Sequence, residues 1–116
     1  FLTTVRVNRL AFLNSLERAS VVAKENKNLI KLDIKDNNIN VLSNSESGNV
    51  NENVIINLDG KDVNIAFNSK YLCDALRAAG DEFVNINMNS SISPCIIRPY
   101  SGEEYLYLIL PIRINS

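Results

Sequence analysis

Apolar residues along this chain recur in two different rhythms, and the switches between them lay out its elements. Phe1 to Val7 alternates weakly and is rich in Thr and Val, which predicts a strand. Asn8 follows, a residue type suited to capping a helix N-terminus. Leu10, Phe12, Leu13, Leu16, Ala19 and Ala23 then recur at helical spacing, which predicts a helix over Arg9 to Ala23. A turn of about 100° per residue sets Phe12, Leu13, Leu16, Ala19 and Ala23 on one face, with Arg18 opposite and Asn14, Val21 and Val22 beside it. Two valines on an outward flank are either ordinary exposed residues or a patch for a partner.

After a polar turn at Lys24 to Asn28, Leu29 to Ile34 alternates strictly, as a half-buried strand does. Lys35 to Asn38 is a turn, and Ile39 to Leu42 returns as the hairpin partner. Ser43 to Asn49 reads as a polar loop, Val50 to Leu58 as a strand carrying Glu52, and Asp59-Gly60 as a hairpin turn. The second half repeats this order. Asp62 to Phe67 is a strand, Asn68 caps a helix reaching about Ala79, and Gly80 ends it. Strands follow at Glu82 to Met88, Ile92 to Arg98 and Glu104 to Ile112, with loops at Asn89 to Ser91 and Pro99 to Gly102. Each half is therefore β-α-β-β-β. Val5, Val7, Asn8, Phe12 and Leu16 stand 60 positions before Ile65, Phe67, Asn68, Leu72 and Leu76, which points to a duplicated unit. On the second helix Leu72, Leu76 and Ala79 form the core face, Lys70, Asp74 and Arg77 the opposite one, and Tyr71 the flank.

The last of these strands lies in the run Tyr105 to Ile114, apolar enough to be buried on both faces. Pro111 interrupts it. Proline has no N–H for a ladder, so here the strand stops pairing and runs along an edge or out of the sheet. The apolar residues beyond it are either the end of a core strand or the wall of a groove that another protein enters.

At 116 residues the chain is one domain with room for a core that needs neither disulfide nor metal. It contains no histidine, so neither a Ser-His-Asp nor a Cys-His nucleophile can be built from it. Cys73 and Cys95 are too few and too far apart for a zinc site and are expected to be reduced, buried thiols. No cofactor is expected. No run is long and apolar enough for a membrane helix and no signal peptide opens the chain, so the expected location is the cytoplasm. The start at Phe1, without methionine, suggests a piece of a longer protein. Net charge is −1, but residues 1–31 hold six basic and two acidic side chains, and residues 32–116 hold six and eleven. A basic face on an acidic molecule is compatible with that split.

Four strings make the chain more than a generic α+β domain. Glu25-Asn26-Lys27-Asn28-Leu29-Ile30-Lys31-Leu32, Phe67-Asn68-Ser69-Lys70-Tyr71-Leu72, Ile97-Arg98-Pro99 and Tyr107-Leu108-Ile109-Leu110-Pro111-Ile112-Arg113, in this order, closely resemble the C-terminal domain of the bacterial DNA polymerase III beta subunit, the sliding clamp. The resemblance covers essentially all of residues 1–116 and implies an α+β DNA-clamp fold, with two helices on one side of antiparallel sheets. It implies the last of three domains of a protomer, two of which close head to tail into a ring around duplex DNA. It implies no catalysis. The helices would line the hole, with Arg18, Lys70 and Arg77 toward phosphates. A hydrophobic groove would take short peptides of polymerases, the clamp loader and repair proteins, at Asn68, Tyr71, Ile92, Pro94, Leu108, Ile109, Leu110, Pro111, Ile112, Arg113 and Ile114. Val21, Val22, Glu46 and Glu52 would lie at the contact with the neighbouring protomer.

Ala66 stands where the family usually has glycine and Ser69 where proline is common, while Asn115-Ser116 extends past the usual end. With the other domains missing, residues 1–116 alone should not encircle DNA. Two other readings compete. A freestanding adaptor of clamp-like fold would bind peptides without forming rings. An enzyme would have to use Glu103 and Glu104, but neighbours on a strand point to opposite faces and do not converge on one substrate.

Overall fold

The computed structural model describes residues 1–99 and 107–113. In chain order they form β1 (Thr3–Asn8), α1 (Arg9–Ala23), a 3₁₀ turn (Lys24–Asn26), β2 (Leu29–Lys35), β3 (Asn38–Ser45), β4 (Gly48–Ile55), β5 (Asn57–Gly60), β6 (Val63–Asn68), α2 (Ser69–Ala78), β7 (Phe83–Met88), β8 (Cys95–Pro99) and β9 (Tyr107–Ile109). Two antiparallel sheets carry them, in the orders β5-β1-β7-β8-β9 and β4-β3-β2-β6.

The expected repeat is real, and the two halves exchange their opening strands. β1 pairs with β7 of the second half, and β6 pairs with β2 of the first. Burial explains the exchange, because Val5 and Val7 on β1, and Ile65 and Phe67 on β6, are all 1% exposed or less. Covering those rows needs the other half's sheet and helix. Both helices begin as the sequence indicates. The Asn8 side chain accepts the Ala11 N–H, and the Asn68 side chain accepts the Lys70 N–H, both at 2.9 Å. Phe12, Leu13, Leu16, Ala19 and Ala23 are buried on α1 and Leu72 and Leu76 on α2, whereas Leu10 is exposed. Arg9 ties the helices together, its guanidinium donating to the carbonyls of Asp81 and Leu76 at the C-terminal end of α2.

Several boundaries differ from the sequence expectation. The polar loop expected at Ser43 to Asn49 is a two-residue turn, with β3 paired as far as Ser45 and β4 from Gly48. Ladder hydrogen bonds use the backbone, so the polar character of these residues does not end the strands. The single strand expected over Val50 to Leu58 is two, split at Ile56 and belonging to different sheets. The turn Asp36-Asn37, left-handed at both residues, fixes that crossover, since Asn37 accepts Ile56 N–H on its carbonyl and Leu58 N–H on its side chain. Asp59-Gly60 is no hairpin turn: both residues pair with β1, Gly60 opposite Thr3. α2 ends at Ala78 with an extended Ala79 cap, so Gly80 supplies no left-handed cap. β8 starts at Cys95, leaving Ile92 in the bend before it. β9 is described only from Tyr107 and ends at Ile109, short of the expected Ile112.

The end of β9 repeats the crossover of the first half. After β4 the chain leaves one sheet at Ile56 and lays β5 beside β1. After β9 it leaves the other sheet before Pro111, and the Ile112 N–H donates to the Ala66 carbonyl on β6 at 2.8 Å. Pro111, which has no N–H to contribute, sits where the chain is between sheets. The terminal segment therefore bridges the two sheet edges.

Candidate functional site

Where the segment after β9 crosses toward β6, it leaves an open groove of about 590 Å³ against α2. Asn68, Tyr71, Asp74 and Ala75 line it from the helix side, and Tyr107, Leu108, Ile109, Leu110 and Ile112 from the strand side. Ile109 is 7% exposed and belongs to the core, whereas Tyr71, Leu108 and Leu110 are 63%, 60% and 70% exposed. Three large apolar side chains converging on one concavity form a patch of the kind partners cover. Its polar components are few. Asn68 uses its side-chain oxygen on the Lys70 N–H, which leaves its NH₂ group for the rim, and Asp74 supplies a carboxylate.

Six of the expected groove residues come together here: Asn68, Tyr71, Leu108, Ile109, Leu110 and Ile112. Ile92 and Pro94 do not line it. Both are exposed and precede Cys95, the first residue of β8, whose ladder partner is Ile109. Pro111 and Arg113 are on the bridging segment without forming its wall. Ile114 lies outside the described residues, as do Glu103, Glu104, Asn115 and Ser116. Asp74, Ala75 and Tyr107 were not anticipated. The signal for two of them was present, since Asp74 and Ala75 follow Tyr71 by three and four residues and share its helix face.

Two of the departures from the usual sequence, Ala66 and Ser69, adjoin this site. Ala66 is 1% exposed and holds Ile112 through its carbonyl. Ser69 opens α2 and donates its backbone N–H to the Asn28 carbonyl at 2.8 Å, a bond that a proline at this position lacks.

The duplicated architecture shows what occupies the equivalent of this groove in the first half. Ala66 pairs with Ile112 as Arg6 pairs with Asn57, which makes Ser15 and Glu52 the counterparts of Ala75 and Tyr107. In the first half that position is filled by an ion pair. The Arg18 guanidinium donates to both carboxylate oxygens of Glu52 at 2.6 Å and reaches the Ser15 hydroxyl at 3.4 Å. Arg18, expected to face phosphates, and Glu52, expected at a subunit contact, are thus partners. This contact with Arg18 holds the Glu52 carboxyl below its ordinary range. A depressed folded-state value stabilises the fold above the unfolded carboxylate range, and that contribution is lost as pH falls through the folded value. Arg18→Ala is therefore expected to raise the Glu52 titration midpoint toward that of a free glutamate, read by carboxyl NMR. An unchanged midpoint would mean that the pair does not persist in water.

The other expected surface residues are exposed, apart from Val22. Arg77 lies between Asp74 at 3.1 Å and Glu17 of α1 at 3.4 Å, so it links the outer faces of the two helices. Lys70 is exposed in the first turn of α2. Val21 is 70% exposed, Val22 half-buried, and Glu46 exposed in the turn between β3 and β4. Cys73 and Cys95 are free and buried, and burial pushes both thiols up, Cys95 to about 12, so they pack as small apolar groups.

The profile of the family "DNA polymerase III beta subunit, C-terminal domain" matches residues 1–113. The chain belongs to this family. It is 35% identical over 115 residues to the beta sliding clamp of Bacillus subtilis, covering 96% of this chain and 30% of that protein. With the beta sliding clamp of Staphylococcus aureus it is 38% identical over 105 residues, covering 88% and 28%. The crystal structure of the DNA polymerase III beta subunit of Thermotoga maritima superposes with a TM-score of 0.95 at 35% identity, over 99% of this chain and 32% of that one. The fold is the α+β clamp fold, and the chain spans about 30% of the length of these relatives. Among the described residues, no helix is long and apolar enough to cross a membrane.

Proposed function

We propose that this chain is the third, C-terminal domain of a sliding-clamp protomer, a non-catalytic processivity factor that works in the cytoplasm. In this reading two protomers close head to tail around duplex DNA and tether the polymerase. The groove beside α2 is half of a docking site for short peptides of polymerases, the clamp loader and repair proteins. The observation that carries the proposal is the groove itself: exposed Tyr71, Leu108 and Leu110 around a buried Ile109, in a domain whose relatives are named beta sliding clamps. Apolar walls with a thin polar rim suit leucine and phenylalanine anchors.

The helix faces suit a DNA-facing role of a weak, sliding kind. Arg18 and Arg77 are each engaged by carboxylates, which leaves Lys70 as a cation that can be offered to phosphates through water. Exposed Val21, next to Val22 near the end of α1, suits the contact with a neighbouring protomer, with Glu46 and Glu52 on its acidic flank.

The test is an NMR titration of the full-length protein with a Gln-Leu-Ser-Leu-Phe peptide, following the amides of Tyr71, Leu108, Leu110 and Ile112. Shifts are expected there and not on the β3 to β4 turn. Their absence at millimolar peptide would overturn the groove assignment. A full-length protein that takes the peptide but sediments as a monomer would favour the adaptor over the ring.

A further inference from the structure

The groove holds one ionised side chain among its described lining residues, and its neighbours leave that charge available. Asp74 stands on α2 beside Tyr71 and Ala75 and shares the groove with them. Its partner is Arg77, at 3.1 Å, an i,i+3 contact in which the two side chains are 57% and 50% exposed. Pairs this exposed are weak and readily exchanged. Arg77 has a second carboxylate, Glu17, at 3.4 Å, so one guanidinium serves two acids. Asp74 can turn to a new cation while Arg77 keeps a partner, and neither charge is stranded. Lys70 and Arg113 flank the site without lining it.

We propose that Asp74 is a specificity-determining residue of the groove, favouring peptides that carry a lysine or arginine next to the apolar anchors. The inference rests on the reading of the groove as a peptide site and deepens it. The apolar walls bind leucine and phenylalanine without regard to flanking charge. The single carboxylate at their edge adds attraction for a cation and repulsion for a second carboxylate, and discrimination comes from both terms. Because the contact is at an exposed rim, the preference is modest and falls with salt, on the Debye scale of about 10 Å at 0.1 M.

The probes are three labelled peptides sharing the core Gln-Leu-Ser-Leu-Phe and flanked on both sides by lysine, glutamine or glutamate. Affinities for the full-length protein are measured by fluorescence anisotropy at low and high salt. The expected result is a lysine-over-glutamine preference of about threefold to fivefold at low salt. That ratio should fall to about one in Asp74→Asn. Glu82→Gln removes the same charge at an exposed position outside the groove and away from the Arg77 pairs, and should retain the preference, which separates a local contact from the field of an acidic protein. A ratio near one in the unmodified protein, a ratio that survives Asp74→Asn, or an equal loss in Glu82→Gln would each overturn the proposal. Failure of the glutamine peptide to bind at all would instead overturn the peptide reading of the groove.

Discussion

Replacing Leu108 and Leu110 together by alanine is expected to weaken binding of a leucine- and phenylalanine-anchored peptide by about 30-fold or more, roughly 2 kcal/mol. Both side chains are more than half exposed, so removing them takes away partner contact and little core. The unfolding midpoint should therefore stay close to that of the unmodified protein. Ile109 between them is a different case. At 7% exposure it packs with the core, and its truncation would confuse loss of the groove with loss of the fold. The measurement is a peptide titration beside a urea unfolding curve on the same full-length variant. Affinity within about threefold of the starting value would show that these leucines do not contact the peptide.

Gly60→Ala is expected to cost about 3 kcal/mol of stability, from backbone strain and a clash that the sheet has no room to absorb. Gly60 has φ +110°, and a Cβ placed on it would stand 2.0 Å from the carbonyl oxygen of Leu2. That oxygen already accepts the Lys61 N–H at 3.0 Å. Relief requires β5 to pull away from β1, breaking the ladder that closes one edge of the sheet. A drop in melting temperature of roughly 10 °C or more should follow. Gly80→Ala is the comparison, because a Cβ there meets nothing within 4 Å. Equal behaviour of the two variants would mean that the close approach of β5 to β1 is not maintained.

These two predictions differ in how far the sequence announced them. Leu108 and Leu110 were legible, since an apolar run crossed by Pro111 near the end of the chain raised the possibility of a groove, and the resemblance to clamps favoured it. Gly60 was misread. Asp-Gly is a strong local turn signal, but a local signal carries no information about Leu2, far away in sequence, whose carbonyl occupies the space a side chain would need. The same limit explains Asp74. Its place on the outward face of α2 was read correctly, yet that face is met by the segment after β9, which makes it a wall of the groove rather than a purely solvated surface. Arg18 and Glu52 show the same limit from the other side. Their assignments to different surfaces gave no sign that they pair with each other across α1 and β4.

What the sequence by itself determined is the set of local decisions: both asparagine caps, the core faces of both helices, the alternation of β2, and the duplication that sets Asn8 and Asn68 in equivalent places. These follow from periodicity and side-chain chemistry within a few residues, which a linear reading contains. Tertiary structure alone decided which strands share a sheet, that each half lends its first strand to the other, and that the chain changes sheets at Ile56 and again before Pro111. Those outcomes depend on burying two apolar surfaces at once, a condition no single segment can express. The groove exists because the second crossover leaves Leu108 and Leu110 uncovered beside Tyr71, while in the first half the Arg18–Glu52 pair occupies the equivalent place.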